Sequence, residues 1–394
     1  MKKEKQIRTG YYLIEILRNV LKDEKKVTKL PDDITVQGLY YLAKRHSIDC
    51  ITYFGLSELL ENDCGEIGEK WKKRNLQCAM QGIVQLAERD KLYKVFPENG
   101  IRILPLKGCL LKEMYPRQEF RQMADLDILI DDEKTMAVKN VMEDAGYESP
   151  ENIGQTNHDA YEKKPWCSVE MHRELLHETL KNADKYSDIW ERAYEEKEGS
   201  GIYRLSWDDF YIYMLEHFAK HLYSGGSGIR FVMDVYVFLD FLKNEKYEFD
   251  QEYLETQLKA LELWEFRKLT EQLAENWFEK GIIGEFKEIE ELIIVSGIYG
   301  TKEQNYRATI ERLRKKYHSY GVARTIYVGE KVFLRYKQMC VLYPVLKKYP
   351  ILLPLYWAYR IIKTIVKKRS EIKRMFSFMY RVEKAKKAED IEQK

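Results

Sequence analysis

The chain of 394 residues is poor in the residues that punctuate β-rich folds. It has 9 prolines and 21 glycines against 33% charged residues, a balance that favours helices over a β sandwich. None of its six cysteines (Cys50, Cys64, Cys78, Cys109, Cys167, Cys340) stands in a CxxC pair. That argues against a zinc ribbon or a thioredoxin-type site. Scattered thiols in a chain of this size fit a reduced, cytoplasmic protein. No stretch reaches the roughly 18 to 20 uninterrupted apolar residues of a spanning helix, so no transmembrane helix is expected. The first segment, residues 1–26, is basic at its start, but Glu15 and Arg18 break its apolar run. It reads as an amphipathic helix rather than a signal peptide. Net charge is almost absent too: 66 basic against 64 acidic residues leave +2. This argues against a nucleic-acid coat protein or an acidic solvating tail. No internal repeat and no long low-complexity segment is present.

What the chain has is material for cores. It is 45% hydrophobic and 13% aromatic, with 29 tyrosines, so it is not disordered, and its length suggests two to three domains. Its charge is sorted along the sequence. Residues 341–394 carry 14 basic and 5 acidic side chains, a net of +9, while residues 1–340 carry a net of −7.

Apolar spacing of three and four predicts helices through the first hundred residues. The pattern then changes. Residues 101–106 (IRILPL), 124–130 (ADLDILI) and 167–172 (CSVEMH) read as strands. Helix-like stretches at 108–115 and 133–145 lie between them, with Asp131 or Asp132 as N-cap and Gly146 as a stop. Strand–helix–strand–helix–strand is an α/β core. From residue 207 the helical period returns, interrupted by a Gly-rich loop at 224–228. The expected organisation is a helical region over 1–98, an α/β core with a mixed sheet flanked by helices over 99–200, a helical domain over 201–337 and a basic, apolar-aromatic tail over 338–394.

The segment 104–130 carries the chemistry. Asp125 and Asp127 are two apart on a predicted strand, so their carboxylates share a face while Ile128 and Ile130 take the other. Two parallel carboxylates repel unless something offsets them, and a divalent metal does so. Mg²⁺ prefers carboxylate oxygens and keeps positions open for phosphate. Two such ions about 3.5–4 Å apart stabilise both oxygens of an in-line phosphoryl displacement. Glu170 and His172 share a face of the third strand. If that strand lies beside the first acids, Glu170 completes a triad as metal ligand or base. Lys107-Gly108 closes one strand and opens a helix, where a close backbone and a point charge suit a phosphate. Arg121 is placed to contact a phosphate or to neutralise the acids. The bland alternative for the two aspartates is a solvated strand end.

With these residues in place, LKG…Y…R…ADLDILI followed by VEMH resembles the DNA polymerase β-like nucleotidyltransferase superfamily, and more closely its uncharacterised bacterial branch. LEHFAKH…IRFVMDVYVFL resembles the helical domain of that branch. The turn is Lys-Gly-Cys where the superfamily carries Gly-Ser or Gly-Gly, and the gap from Gly108 to Asp125 is longer than in minimal members. The resemblance implies a nucleotidyltransferase fold, dependence on Mg²⁺ or Mn²⁺, and transfer of a nucleoside monophosphate from an NTP to an acceptor. It places the metal at Asp125, Asp127 and Glu170, which are also the catalytic residues. It puts Lys107 and Gly108 in the phosphate-binding turn; beside them, on their positions alone, Arg121, His172 and His221 are read as nucleotide contacts, with packing the alternative for the two histidines. Two alternatives accompany it: a vestigial nucleotide-binding fold serving as a membrane or partner adaptor, and a toxin-type nucleotidyltransferase.

Other residues have competing readings. His217 and His221 share a helix face and suit zinc, site lining or core packing. The zincin motif wants Glu after the first histidine, and Phe218 stands there. Arg230 and Asp234 form an intrahelical pair or face the nucleotide. Lys112, Tyr115 and Arg117 line the pocket or, for the two cations, lie on a solvated face. The tail's apolar run 351–366, with Trp357, leads directly into Lys367, Lys368 and Arg369. It reads as a peripheral membrane or anionic-partner contact, or as a helix packed on the acidic body.

Overall fold

The computed structural model describes residues 3–24, 27–61, 65–175, 182–298, 300 and 302–367. The chain divides into two compact units: residues 1–220 with 227–298, and residues 221–226 with 299–394.

The first unit begins with helices α1 (Lys3–Leu21), α2 (Val36–Arg45), α3 (Asp49–Gly55), α4 (Ser57–Glu61) and the long α5 (Gly65–Glu98). Local chemistry sets their ends. The Thr35 hydroxyl accepts from the Gly38 N–H to cap α2, and Lys44 and Arg45 occupy its negative end. The α/β segment follows: β1 (Ile103–Pro105), α6 (Gly108–Met114), β2 (Leu126–Ile130), α7 (Thr135–Asp144), β3 (His158–Lys163) and β4 (Cys167–His172). After α8 (Ile189–Arg192) and a small hairpin of β5 (Tyr194–Glu195) and β6 (Tyr203–Arg204) come α9 (Trp207–Gly225), α10 (Ile229–Asn244), α11 (Gln251–Ala260), α12 (Trp264–Ala274) and α13 (Lys287–Ser296). α9 runs past residue 220 into the residues grouped with the second unit.

The sheet is mixed, in the order β1-β2-β4-β3. β1 and β3 are antiparallel to their neighbours, while β2 and β4 run parallel. The strand at 158–163 escapes the sequence pattern, because HDAYEK has too few apolar residues to mark a strand. One face of the sheet buries Leu126, Ile128, Ile130, Val169, Met171 and Tyr161 against Leu92 and Phe96 of α5 and Val138 and Met142 of α7. Each such aliphatic side chain contributes about 1.5–3 kcal/mol on burial. This core fixes the register, since a one-residue slip would turn the acids of β2 into it. Gly146, at φ +87°, ends α7 as expected. The aspartates before α7 do other work. No side-chain cap forms at Asp131, whose carboxylate takes two bonds from Arg102, at 2.6 and 2.7 Å. Asp132 faces Arg173 at 3.4 Å.

The second unit contains α14 (Lys302–Tyr317), α15 (Tyr320–Val332), α16 (Tyr336–Leu342), α17 (Val345–Lys348) and α18 (Leu353–Lys367). It holds two small cores. Tyr306, Ile310, Leu313 and Ala323 form one, and Met339, Cys340 and Leu346 form the other. Lys368, Arg369 and the rest of the basic tail lie outside the described residues, as does Cys64. The other five cysteines are free and buried. Among the described residues, no helix is long and apolar enough to cross a membrane.

Candidate metal and nucleotide site

The site grows from the register of two parallel strands. Asp127 on β2 stands opposite Glu170 on β4, and His172 follows two residues on, on the same face. β3 brings His158 opposite His172. Asp125 lies just before β2 and is half-buried. The face that the hydrophobic core leaves free therefore gathers the acids and two imidazoles.

The groups interlock. His172 Nε2 lies 2.9 Å from Asp127 Oδ1 and 3.4 Å from Glu170 Oε2. Lys107 Nζ donates to Asp127 Oδ1 at 2.8 Å. His158 Nε2 is 3.8 Å from Glu170 Oε1, and the two imidazole rings are 5.2 Å apart. Asp127, Glu170 and His172 present ligand atoms all within 4.8 Å of one another, a group with the donors and spacing to hold a metal ion. The side chains of Asp127 and His172 are 7% and 6% exposed, those of Glu170 and His158 26% and 35%. The cluster is closed at its base and open on the Glu170 side.

The charges follow from this packing. Burial, then the Asp127 and Glu170 carboxylates, push Asp125 up to about 6, against the pull of Lys107 and Arg230. Burial acts on Asp127 in the same direction, but Lys107 and His172 outweigh it and hold Asp127 well below the usual carboxylate range. The hydrogen bond from His172 lowers Glu170. Burial would lower His172, yet its bonds to Asp127 and Glu170 raise it. Burial likewise opposes the charge on Lys107, and the surrounding Tyr213, Asp127 and Asp125 overcome it. Lys107 adopts φ +41°, a sparsely populated conformation for a residue with a side chain. Backbone strain of this kind clusters at functional sites.

α9 supplies what the sequence reading missed. Tyr213 is buried, its phenol is pushed up to about 12 chiefly by burial, and it hydrogen-bonds the Lys107 side chain. Lys220, two turns further on, has an ammonium lowered by desolvation and by Lys107, while Glu170 and Asp127 act the other way. A spacing of seven on one helix was the available signal for this pair. His158 had none, because its strand was not recognised.

Several residues take other places than the sequence suggested. Arg121 is buried and bidentate on Asp234, Nε at 2.8 Å and Nη2 at 3.0 Å, so those donors are committed within the protein rather than to a phosphate. Tyr115 donates to the same Asp234 at 2.6 Å and is buried rather than pocket-lining. Asp234 thus bonds across to the end of α6 and the loop before β2. Arg230 donates to the Gln122 carbonyl at 3.0 Å. Lys112 is buried and donates to the Arg121 carbonyl at 3.0 Å, which replaces the solvated-face reading. Arg117 is exposed, pairs with Glu119 at 2.8 Å and lies 4.9 Å above the Phe54 ring. A Cβ on Gly108 would meet Arg121 Nη1 at 2.5 Å and Met123 Sδ at 2.7 Å. Its missing side chain makes room for the protein's own atoms.

His217 packs near the rings of Tyr213 and Phe231, at 6.3 and 5.6 Å. His221 is grouped with the second unit. Neither belongs to a cluster of three ligand-type side chains among the described residues.

A mixed sheet with helical additions, carrying an Asp-Glu-His group on its free face, defines an α/β protein with a candidate metal site. A family described as an uncharacterised nucleotidyltransferase matches residues 32–279, from just before α2 to the helical segment that continues α12. The chain belongs to that family. No curated protein and no solved structure matches it.

Proposed function

We propose that the protein is a divalent-metal-dependent nucleotidyltransferase that moves a nucleoside monophosphate from an NTP to an acceptor. The observation that carries this reading is the parallel β2–β4 register, which sets Asp127 against Glu170 beside His172 and Asp125. The donor set fits a hard cation. Burial and, after it, the neighbouring carboxylates raise Asp125, so a cation bound there would relieve part of the repulsion.

Asp125, Asp127 and Glu170 would hold Mg²⁺ or Mn²⁺, with the His172 nitrogen close enough to orient two of the carboxylates. When bound, the ion supplies charge neutralisation for the triphosphate and for the transferring phosphoryl group. Lys107 keeps Asp127 ionised, and Tyr213 steadies Lys107 from behind. Lys220 adds a cation near the open, Glu170 side, suited to the phosphates. Glu170, the most exposed of the clustered acids, is the candidate to accept a proton from an acceptor hydroxyl. Catalysis rests on positioning and on electrostatics preset by the sheet.

A non-catalytic nucleotide-binding adaptor is the second reading. It is favoured by the Lys107–Asp127 ion pair, which already counters the most buried acid. One experiment separates the two. The protein is incubated with each α-labelled NTP, Mg²⁺ or Mn²⁺, and cell extract, beside the double variant Asp125→Ala with Asp127→Ala. Label transferred by the wild type alone supports the transferase. NTP-dependent thermal stabilisation without label transfer assigns the adaptor. Growth arrest on expression, abolished by the same double variant, would identify a toxin-type member. Location in the cytoplasm is part of the same proposal.

A further inference from the structure

α18 is apolar on both of its sides. One side packs within the second unit. Leu353, Tyr356 and Trp357 pack on Met339, Cys340 and Leu346. Trp357 Nε1 donates to the Leu334 carbonyl at 2.9 Å, and Arg360 donates to the Val332 carbonyl at 2.9 Å. These contacts fix the helix's rotation. Its outer side then presents Ile351, Leu355, Tyr359, Ile362 and Ile365, which are 87%, 67%, 52%, 62% and 51% exposed. The row begins in the turn before α18 and continues at steps of three and four, so it is one continuous stripe. A helix apolar all round is normally buried on every side.

The surroundings of the stripe select its occupant. From Lys331 to Lys367 the sequence has eight lysines and arginines and no aspartate or glutamate. Lys347, Lys348 and Lys363 lie close in sequence to the stripe, and Tyr349 at its start is 48% exposed. An apolar stripe edged by cations and aromatic residues matches the boundary of an anionic bilayer, where acyl chains, interfacial rings and headgroup phosphates lie at successive depths. The remaining sequence, residues 368–394, is itself net positive, with nine basic and five acidic residues, which adds to the attraction for an anionic surface. We infer that the outer face of α18 docks the protein on a membrane surface rich in anionic lipid. This inference does not depend on the transferase reading.

The test is co-sedimentation of the full chain with sucrose-loaded vesicles of phosphatidylcholine alone or mixed equally with phosphatidylglycerol, at low and high salt. We expect pelleting with the anionic vesicles only, weakened by salt. Leu355→Asp with Ile362→Asp should lower the bound fraction at least tenfold, and Lys347→Glu with Lys348→Glu and Lys363→Glu should do the same. These positions are on the surface, and unchanged circular dichroism and Tm will confirm that the variants fold. Equal pelleting with zwitterionic vesicles overturns the inference. So does no pelleting, or pelleting unaffected by the apolar substitutions. A concentration-dependent dimer that the Leu355 and Ile362 substitutions dissociate, without vesicle binding, would assign the stripe to a second copy and also overturn it.

Discussion

Replacing Asp234 by alanine isolates a buried cation. In the native protein its carboxylate takes Tyr115 Oη at 2.6 Å and Arg121 at 2.8 and 3.0 Å, and the two charged side chains are 7% and 4% exposed. These bonds join α10 to α6 and to the loop that leads into Asp125 and β2. Breaking a buried pair from one side costs about 3–5 kcal/mol, because the remaining ion has neither water nor partner. Tyr115 would lose its acceptor as well, for about 1 kcal/mol more. At about 2–4 °C per kcal/mol for a large unit, the Tm should fall by roughly 10 °C or more. The double variant Arg121→Met with Asp234→Leu removes both charges and should recover at least half of that loss. Thermal unfolding followed by tryptophan fluorescence is a suitable assay in a Trp357→Phe background, since the other six tryptophans lie in the first unit. A fall below about 2 °C for Asp234→Ala, or a double variant as unstable as the two single losses summed, would refute the clamp.

Three further outcomes are expected. Gly108→Ala should destabilise the first unit by about 1–3 kcal/mol, read as a lower urea midpoint, because its methyl meets Arg121 and Met123 inside contact distance. His46 is buried, accepts from the Ile229 N–H at Nδ1 and faces the Ile294 carbonyl through Nε2, each at 3.0 Å, and burial pushes its imidazolium down to about 3. The unfolded chain therefore takes up a proton first as pH falls below about 6.5, so stability is full above that pH and is lost toward pH 3, by up to about 4 kcal/mol. Tm measured from pH 4 to 8 should show this slope, and His46→Gln should flatten it. Tyr213→Phe should leave Tm within about 3 °C, yet slow label transfer about tenfold by releasing Lys107; unchanged transfer would remove Tyr213 from the site.

How much was legible depended on local signal. The alternation that sets Asp127 apart from Ile128, and puts Glu170 and His172 on one face, was legible because it follows from sequence alone and apolar neighbours marked the two strands. The parallel pairing that brings Asp127 beside Glu170 was only a condition in the sequence; the sheet meets it. His158 was missed because HDAYEK gives no apolar pattern, and Lys220 and Tyr213 because nothing in a helix announces which strand it crosses. Arg121 and Asp234 are 113 residues apart, so their union could not be read from spacing; local spacing pointed Arg121 to a phosphate or the acids and Asp234 to Arg230 or the nucleotide.

Composition and periodicity determined on their own that the chain is helical around an α/β centre, that its acids are placed to share a sheet face, and that its basic charge gathers near the end. These follow from short-range geometry, which every residue carries with it. Tertiary structure decided which charges are spent inside the protein and which stay partly exposed. It turned Arg121 and Lys112 inward, set Lys107 on Asp127, and left one side of α18 open. Those outcomes depend on desolvation and on partners distant in sequence, and both exist only once the chain has folded.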